Sequence, residues 1–178
     1  MASHACWWLE DVKRTEREWH AASARGQLQL AKIADCVQKT TYLEGEHWGL
    51  LSDCADLHER ASSRLWELAH RSQRRLLESI DELAAIYAQM SALLQPPSGA
   101  RKLDETTRQR YEAFLVEILG MFERELVAKS LVSADIFDCR QHDTMTLYLA
   151  AWQMQPHIDK QRIDEVEKLV LNDAHYRL

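Results

Sequence analysis

Residues 76–94 read LLESIDELAAIYAQMSALL, and apolar side chains recur in this stretch at alternating steps of four and three residues. The recurring positions are Leu76, Ile80, Leu83, Tyr87, Met90 and Leu94. Such steps place side chains on one face of an α-helix, and their regular alternation is the a/d pattern of a coiled coil. The stretch therefore predicts a long helix whose apolar seam packs against another helix.

The helical pattern extends toward the N-terminus, and we predict one helix from about Leu50 to Leu94. The seam of its first half comprises Cys54, Leu57, Ala61, Leu65 and Leu68. Ser72 separates the two halves, so we expect the apolar stripe to shift phase there and the helix to bend or change partner. At 1.5 Å per residue this helix would span roughly 65 Å, and we therefore expect an elongated molecule.

An earlier seam predicts another long helix, which ends near Tyr42 or Leu43. Its positions are Trp8, Val12, Thr15, Trp19, Ala22, Gly26, Leu30, Ile33 and Val37. Gly45 and Gly49 follow it and predict a turn between the two helices.

The stretch QPPSGARKLDETT, residues 95–107, predicts a loop, since Pro96 cannot continue a helix and Gly99 is conformationally permissive. A third helix is predicted from Glu105 to Asp135, capped by Asp104 or Thr106. Its apolar stripe is wide enough to pack on more than one neighbour.

A helical hairpin is predicted for the C-terminal fifth of the chain. Asp143 is expected to cap a short helix that ends before Pro156, and Asp159 to begin a last helix that runs to about Asn172. The predicted fold is all-α: an elongated antiparallel bundle of long coiled-coil-like helices with a short C-terminal helical hairpin. The predicted divisions are a long helical hairpin over 1–95, a linker loop over 96–104 and a C-terminal helical region over 105–178.

Composition favours the same fold class and argues against several other classes of protein. Only 5 Gly and 3 Pro occur in 178 residues, too few turn residues for all-β or Rossmann-type folds. No apolar leader or run of 18 apolar residues occurs, so we expect a soluble intracellular protein with no membrane contact. The four cysteines are then expected to be reduced thiols, two or three of them in the core.

Direct nucleic-acid binding is not expected, because the net charge is −6. The densest basic cluster, Arg71, Arg74 and Arg75, lies beside Glu67 and Glu78. We interpret it as a solvated helix face rather than a phosphate site.

Enzymatic sites are weakly supported. Two Glu-x-x-His strings are half of a di-iron site, and two Cys–His pairs could supply zinc ligands. They are Glu44–His47, Glu67–His70, Cys54–His58 and Cys139–His142. No Gly-x-Ser-x-Gly string or glycine-rich phosphate loop accompanies them. Solvated side chains and core thiols are the favoured interpretation, so we expect no catalytic residue, metal or cofactor.

The six tryptophans are candidates for core or interface positions. Trp19 and Trp152 lie on apolar seams and are predicted to be buried. Trp7 and Trp8 are adjacent, so they point in different directions on a helix and at least one is expected to be exposed. This pair is our candidate for a partner contact. In the hairpin, Tyr148, Trp152, Pro156 and Leu169 are expected to position the last helix against the third helix or against a partner subunit.

The C-terminal segment LYLAAWQMQPHIDKQRIDEVEKLVLNDAHYRL resembles the corresponding region of the cyclin-dependent kinase 2-interacting protein family. The matching positions are Tyr148, Leu149, Trp152, Gln155, Pro156, His175 and Leu178. The preceding segment, RYEAFLVEILGMFERELVAKSLV, is similar to that family's preceding helix, with matches at Tyr111, Glu112, Leu119, Met121, Glu125 and Leu126. Trp19 and His20 resemble a Trp-His pair that opens the family's first long helix.

This resemblance implies a non-enzymatic adaptor in the nucleus, and in the cytoplasm as well. The partners it implies are subunits of a AAA ATPase complex acting in ribosome maturation and replisome protein turnover, a cyclin-dependent kinase, and factors of DNA replication and the cell-cycle checkpoint. The ten partner-binding candidates are Trp7, Trp8, Tyr148, Leu149, Trp152, Gln155, Pro156, Leu169, His175 and Leu178. The alternative is a self-associating coiled-coil structural protein of the kinetochore, tether or cytoskeletal type.

Overall fold

All regular structure that the computed structural model describes is helical, which confirms the all-α prediction. The structure describes residues 6–45, 48–54, 56–97 and 103–175, except for the side chains of residues 174 and 175. The helices are α1 (Leu9–Leu43), α2 (Leu57–Ala92), α3 (Glu105–Asp135), α4 (His142–Met154) and α5 (Lys160–His175). His47, Gly99 and Leu178, which carried predictions, lie outside the described residues.

The predicted seam of α1 is confirmed. All nine of its positions, from Trp8 to Val37, are buried. Polar Thr15 can lie on this seam because its hydroxyl donates to the Asp11 carbonyl oxygen at 2.8 Å within the helix. The seam is therefore a continuous core face of the helix.

The predicted start of α2 at Leu50 is wrong. Residues Gly49–Asp53 form a separate 3₁₀ helix with no buried residue, and Leu50 is 97 % exposed. Gly49 has a φ of +57°, a conformation that suits glycine. The apolar residues of this stretch have no core to pack on, so α2 begins only at Leu57.

The seam of α2 shows no shift of phase from Ala69 onward, whereas no residue from 57 to 68 is buried. The buried positions of α2 are Ala69, Ser72, Leu76, Ser79, Leu83, Ile86 and Met90, at unbroken steps of three and four. Small side chains occupy this seam where larger ones were expected, while Leu68 of the predicted seam is exposed. The seam thus combines small Ala69, Ser72 and Ser79 with large apolar residues.

Two of the three predicted N-caps, those of α3 and α5, are confirmed. The Asp104 carboxylate accepts a hydrogen bond from the Thr107 N–H at 2.9 Å, and Asp159 accepts one from the Arg162 N–H at 2.9 Å. The helix α3 has the predicted bounds. Asp143 does not cap α4, because that helix begins two residues earlier than predicted and its N-cap is Gln141.

The chain divides into two compact units. Unit 1 comprises residues 1–21, 83–127 and 156–178. Its core includes Trp19 and Phe122, whose rings meet edge to face with centroids 5.0 Å apart. Ion pairs hold α5 in this unit: Lys160 Nζ lies 2.9 Å from Glu16 Oε1, and Arg162 donates two hydrogen bonds to the Glu117 carboxylate.

Unit 2 comprises residues 22–82 and 128–155. In this unit α1 and α2 run antiparallel, since Arg25 pairs with Glu82 while Leu30, further along α1, shares a core with Leu76, earlier in α2. Parts of α3 and α4 complete that core. Its buried members are Leu30, Ile33, Ala34, Val37, Leu76, Val132, Ile136, Cys139, Met145 and Trp152.

All four cysteines are free thiols, as predicted. Cys36 and Cys139 are buried, Cys54 is exposed, and Cys6 is half-buried. Burial raises the pKa of Cys6 to about 11, which leaves it a protonated and poorly nucleophilic thiol at neutral pH. Within the described part of the chain, no helix combines the length and the hydropathy needed to cross a membrane.

Candidate functional site

Trp152, the central residue of the predicted hairpin site, lies in the core of unit 2. It is 1 % exposed, and its indole Nε1 donates a hydrogen bond to the Ser23 carbonyl oxygen at 2.9 Å. A buried indole N–H needs an acceptor, and here a residue 129 positions away supplies it. The predicted burial of Trp152 is confirmed.

Gly26 provides the space for this indole. A Cβ atom at position 26 would lie 2.5 Å from Cζ2 of Trp152, well inside van der Waals contact. The same added Cβ atom would lie 3.3 Å from the Cβ of Ser79. A glycine on the α1 seam therefore lets α4 approach α1 closely.

Lys129 of α3 holds the C-terminal end of α4. Its Nζ donates to the Trp152 carbonyl oxygen at 2.8 Å and lies 4.4 Å from the indole ring centroid, while the side chain is 1 % exposed. The last carbonyls of a helix have no partner within the helix, and a cation there also complements the helix dipole. The lysine thus fixes both the backbone and the ring of Trp152.

Tyr148 and Leu149 pack on the same core from one turn earlier in α4 and are half-buried. The Tyr148 hydroxyl donates to the Asp135 carboxylate at 2.6 Å, and this hydrogen bond raises the pKa of the tyrosine. The bond ties α4 to the end of α3. Both residues therefore position α4 within unit 2.

The opposite side of α4 is exposed and carries three apolar residues. Leu147 and Met154 are 64 % and 76 % exposed, and Ala150 between them is exposed as well. Their spacing of three and four residues places them on one helix face. The sole charged residue of α4 is Asp143 in its first turn. Thr146 and Gln153 beside this face are exposed as well, so α4 presents an apolar strip with a polar flank to solvent.

The helix ends at Gln155, as the following proline predicts. Gln155 has a φ of 48°, in the left-handed region, and its N–H donates to the Ala151 carbonyl oxygen at 3.1 Å. A side chain in this conformation costs on the order of 1 kcal/mol relative to glycine. The turn therefore fixes where the chain leaves α4.

The remaining hairpin candidates belong to unit 1. Pro156 is exposed and Leu169 of α5 is 47 % exposed, whereas Val166 and Val170 beside it are buried. The side chain of His175 lies outside the described residues, as does all of Leu178.

The expectation of an exposed tryptophan near the N-terminus is wrong. Trp8 is 0 % exposed and its Nε1 donates to the Tyr111 carbonyl oxygen at 3.1 Å; Trp7 is half-buried and donates to the Leu93 carbonyl oxygen at 2.8 Å. Adjacent residues point in different directions, but two different neighbours in unit 1 cover them. A partner can reach Trp8 only if this unit opens locally.

Three of the candidate metal-ligating histidines contact other side chains. His58 stacks on Trp48, His70 packs against Phe137, and His142 Nδ1 lies 3.2 Å from Gln38 Nε2. Across the described ranges, no group of three or more His, Cys, Asp or Glu side chains is arranged to hold a metal ion.

The structure also shows a partly exposed aromatic and basic cluster that the sequence did not predict. Trp66 of α2 lies with its ring centroid 5.3 Å from that of Phe137, and the Arg140 guanidinium carbon lies 5.4 Å from the Trp66 ring centroid. His70 stacks on Phe137 at 4.7 Å. Only the Trp66–His70 spacing of four residues was visible in the sequence, because Phe137 and Arg140 come from a distant loop.

Comparison with protein-family models, with curated proteins and with solved structures finds no match to this chain.

Proposed function

We propose that this protein is a non-enzymatic adaptor that binds other proteins through the exposed apolar face of α4. The observation that carries the proposal is that α4 is anchored on one side by Trp152 and presents Leu147, Ala150 and Met154 to solvent on the other. An amphipathic or apolar helix face that fits a groove of a partner is a common mode of protein recognition. Here the anchored side makes the presented side rigid, which lowers the entropy lost on binding.

The class of partner follows from the resemblance to the cyclin-dependent kinase 2-interacting protein family. It implies a subunit of a nuclear AAA ATPase assembly that acts in ribosome maturation and replisome protein turnover, with links to cell-cycle kinases and replication factors. The face on α4 lies within the segment that carries this resemblance most densely. We therefore propose a AAA ATPase subunit as the protein that covers it.

The test is affinity purification of the tagged full chain from cells that express it, followed by mass spectrometry. We expect AAA ATPase subunits to co-purify with the native chain and to be lost with the double variant Leu147→Glu and Met154→Glu. Both side chains are exposed, so the melting temperature is expected to stay within a few degrees of the native value.

The matched control is the double variant Leu50→Glu and Leu51→Glu, which adds the same charge at exposed apolar positions of the 3₁₀ helix. It is expected to retain the AAA ATPase subunits. Retention by the α4 variant, or equal loss by both variants, contradicts the proposal.

A further inference from the structure

A basic and aromatic surface lies on α2 and the loop after α3, and the adaptor role of α4 does not use it. We define the α2 arginine surface by Trp66, His70, Arg71, Arg74 and Arg140. All five are exposed or half-exposed and all belong to unit 2. Trp66, His70 and Arg74 are spaced by four residues and so lie along one face of α2, with Arg71 beside them.

The charge on this surface is unbalanced. Residues 60–75 contain five arginines and one glutamate, although the whole chain has a net charge of −6. In the described part of the chain, Arg71, Arg74 and Arg140 form no ion pair. Arg14, Arg108 and Arg162 each contact two carboxylates elsewhere in the same chain. Glu67 and Glu78 lie four residues from Arg71 and Arg74 along α2, but among the described residues neither carboxylate pairs with them.

The aromatic residues give this surface a second kind of contact. Arg140 lies over the face of Trp66, and a stacked guanidinium keeps its N–H edges available for a carboxylate. Trp66 and Phe137 are half-buried and form an apolar floor, that is, a contiguous apolar surface, next to Arg140. Tryptophan and arginine are the residue types most enriched among those that dominate binding energy at protein interfaces.

We infer that the α2 arginine surface binds an acidic peptide segment of a partner protein. Carboxylates of the segment pair with Arg71, Arg74 and Arg140, and an aromatic or leucine side chain between them packs on Trp66 and Phe137. The charge complementarity selects an acidic occupant, and the apolar floor selects a peptide over a simple polyanion. A short acidic segment is favoured over nucleic acid because the net charge of −6 repels a long polyanion more strongly than it repels a few carboxylates.

The probe is a fluorescein-labelled peptide of alternating Glu and Gly with one central Phe, titrated with the full chain and followed by fluorescence anisotropy. We expect saturable binding that weakens as salt is raised, since exposed charge pairs are screened. The double variant Arg71→Glu and Arg74→Glu is expected to weaken binding by more than about tenfold, and Trp66→Ala to weaken it to a similar degree.

The matched control is Arg17→Glu with Arg124→Glu, which makes the same charge change at two exposed arginines of unit 1. It is expected to change the affinity less than about threefold, through long-range charge alone. Replacement of Arg71 and Arg74 by Gln serves the same test if the glutamate variant lowers the melting temperature.

Three results overturn the inference: no saturable binding of the peptide, equal weakening by the control pair, or tighter binding of single-stranded poly-uridylate than of the peptide. The α4 variant Leu147→Glu with Met154→Glu is expected to bind the peptide as the native chain does. The test of the α2 arginine surface is therefore independent of the test of the α4 face.

Discussion

At the scale of single residues, the packing of Trp152 on Gly26 explains why a glycine lies in the middle of the α1 seam. A glycine inside a helix costs about 1 kcal/mol relative to alanine, so the close contact with the indole must offset that loss. The contact also positions the indole N–H on the Ser23 carbonyl. At position 26, alanine would therefore stabilise the fold less than glycine does, although alanine is the better helix former.

Gly26→Ala is accordingly expected to lower the free energy of unfolding by about 1 to 3 kcal/mol, because its Cβ would lie 2.5 Å from Cζ2 of the rigid indole. Urea unfolding followed by circular dichroism measures the change. In a Trp152→Leu background the same substitution is expected to be neutral or stabilising, since the clashing ring is absent. An equally large loss in both backgrounds would contradict the role assigned to this contact.

The residue scale also shows where sequence reasoning stops. The burial of Trp19 and Trp152 could be predicted, because local spacing places them on apolar seams. The roles of Lys129 and Arg140 could not, because their partners come from distant parts of the chain. A buried lysine in a helix has the same sequence signature as a solvated one until the α4 carbonyl that it binds is known.

At the scale of elements, spacing predicted helices better than it predicted which apolar residues are covered. The bounds of α3 and the seam of α1 follow from periodicity and capping alone. The start of α2 does not, because Leu50 and Leu51 continue the apolar pattern but have no neighbour to pack on. The apolar pattern is necessary for a core helix, but tertiary contacts decide where it ends.

The docking of α5 in unit 1 depends on an ion pair that titrates. The Glu16 carboxylate lies 3.5 Å from His20 Nε2 and 2.9 Å from Lys160 Nζ of α5. The hydrogen bond from His20, followed by that from Lys160, lowers the pKa of Glu16, and partial burial opposes them. A carboxyl group with a lowered folded-state pKa stabilises the fold above its unfolded pKa of about 4.3, and this contribution is lost as the pH falls below that value.

Glu16→Gln is therefore expected to lower the free energy of unfolding by about 1 kcal/mol at neutral pH, and to have a smaller effect near pH 3, because the contribution is lost as the native carboxyl group becomes protonated. Urea unfolding at both pH values measures this difference. Asp35→Asn is the control, because its pair with Lys39 is exposed and is expected to contribute nothing measurable. A Glu16→Gln effect of equal size at both pH values would rule out the titration.

At the scale of the whole molecule, the buried seams bear on the choice between an adaptor and a self-associating coiled coil. A coiled coil that pairs with a second copy leaves its a and d positions exposed in the single chain. Here the seam of α1 and the seam of α2 from Ala69 to Met90 are buried within one chain. The large apolar residues that stay exposed in the described part of the chain lie outside these two seams, and Leu147 and Met154 on α4 are among them.

We therefore expect static light scattering to give the monomer mass of 20.7 kDa at micromolar concentrations, independent of dilution. A dimer mass would favour the self-associating alternative, and the α4 variant would then locate the interface. If Leu147→Glu with Met154→Glu restores the monomer, the second copy covers α4, and the place proposed for the AAA ATPase subunit is already occupied. If the dimer persists, a surface other than α4 joins the copies, and the α4 face stays available to a different protein.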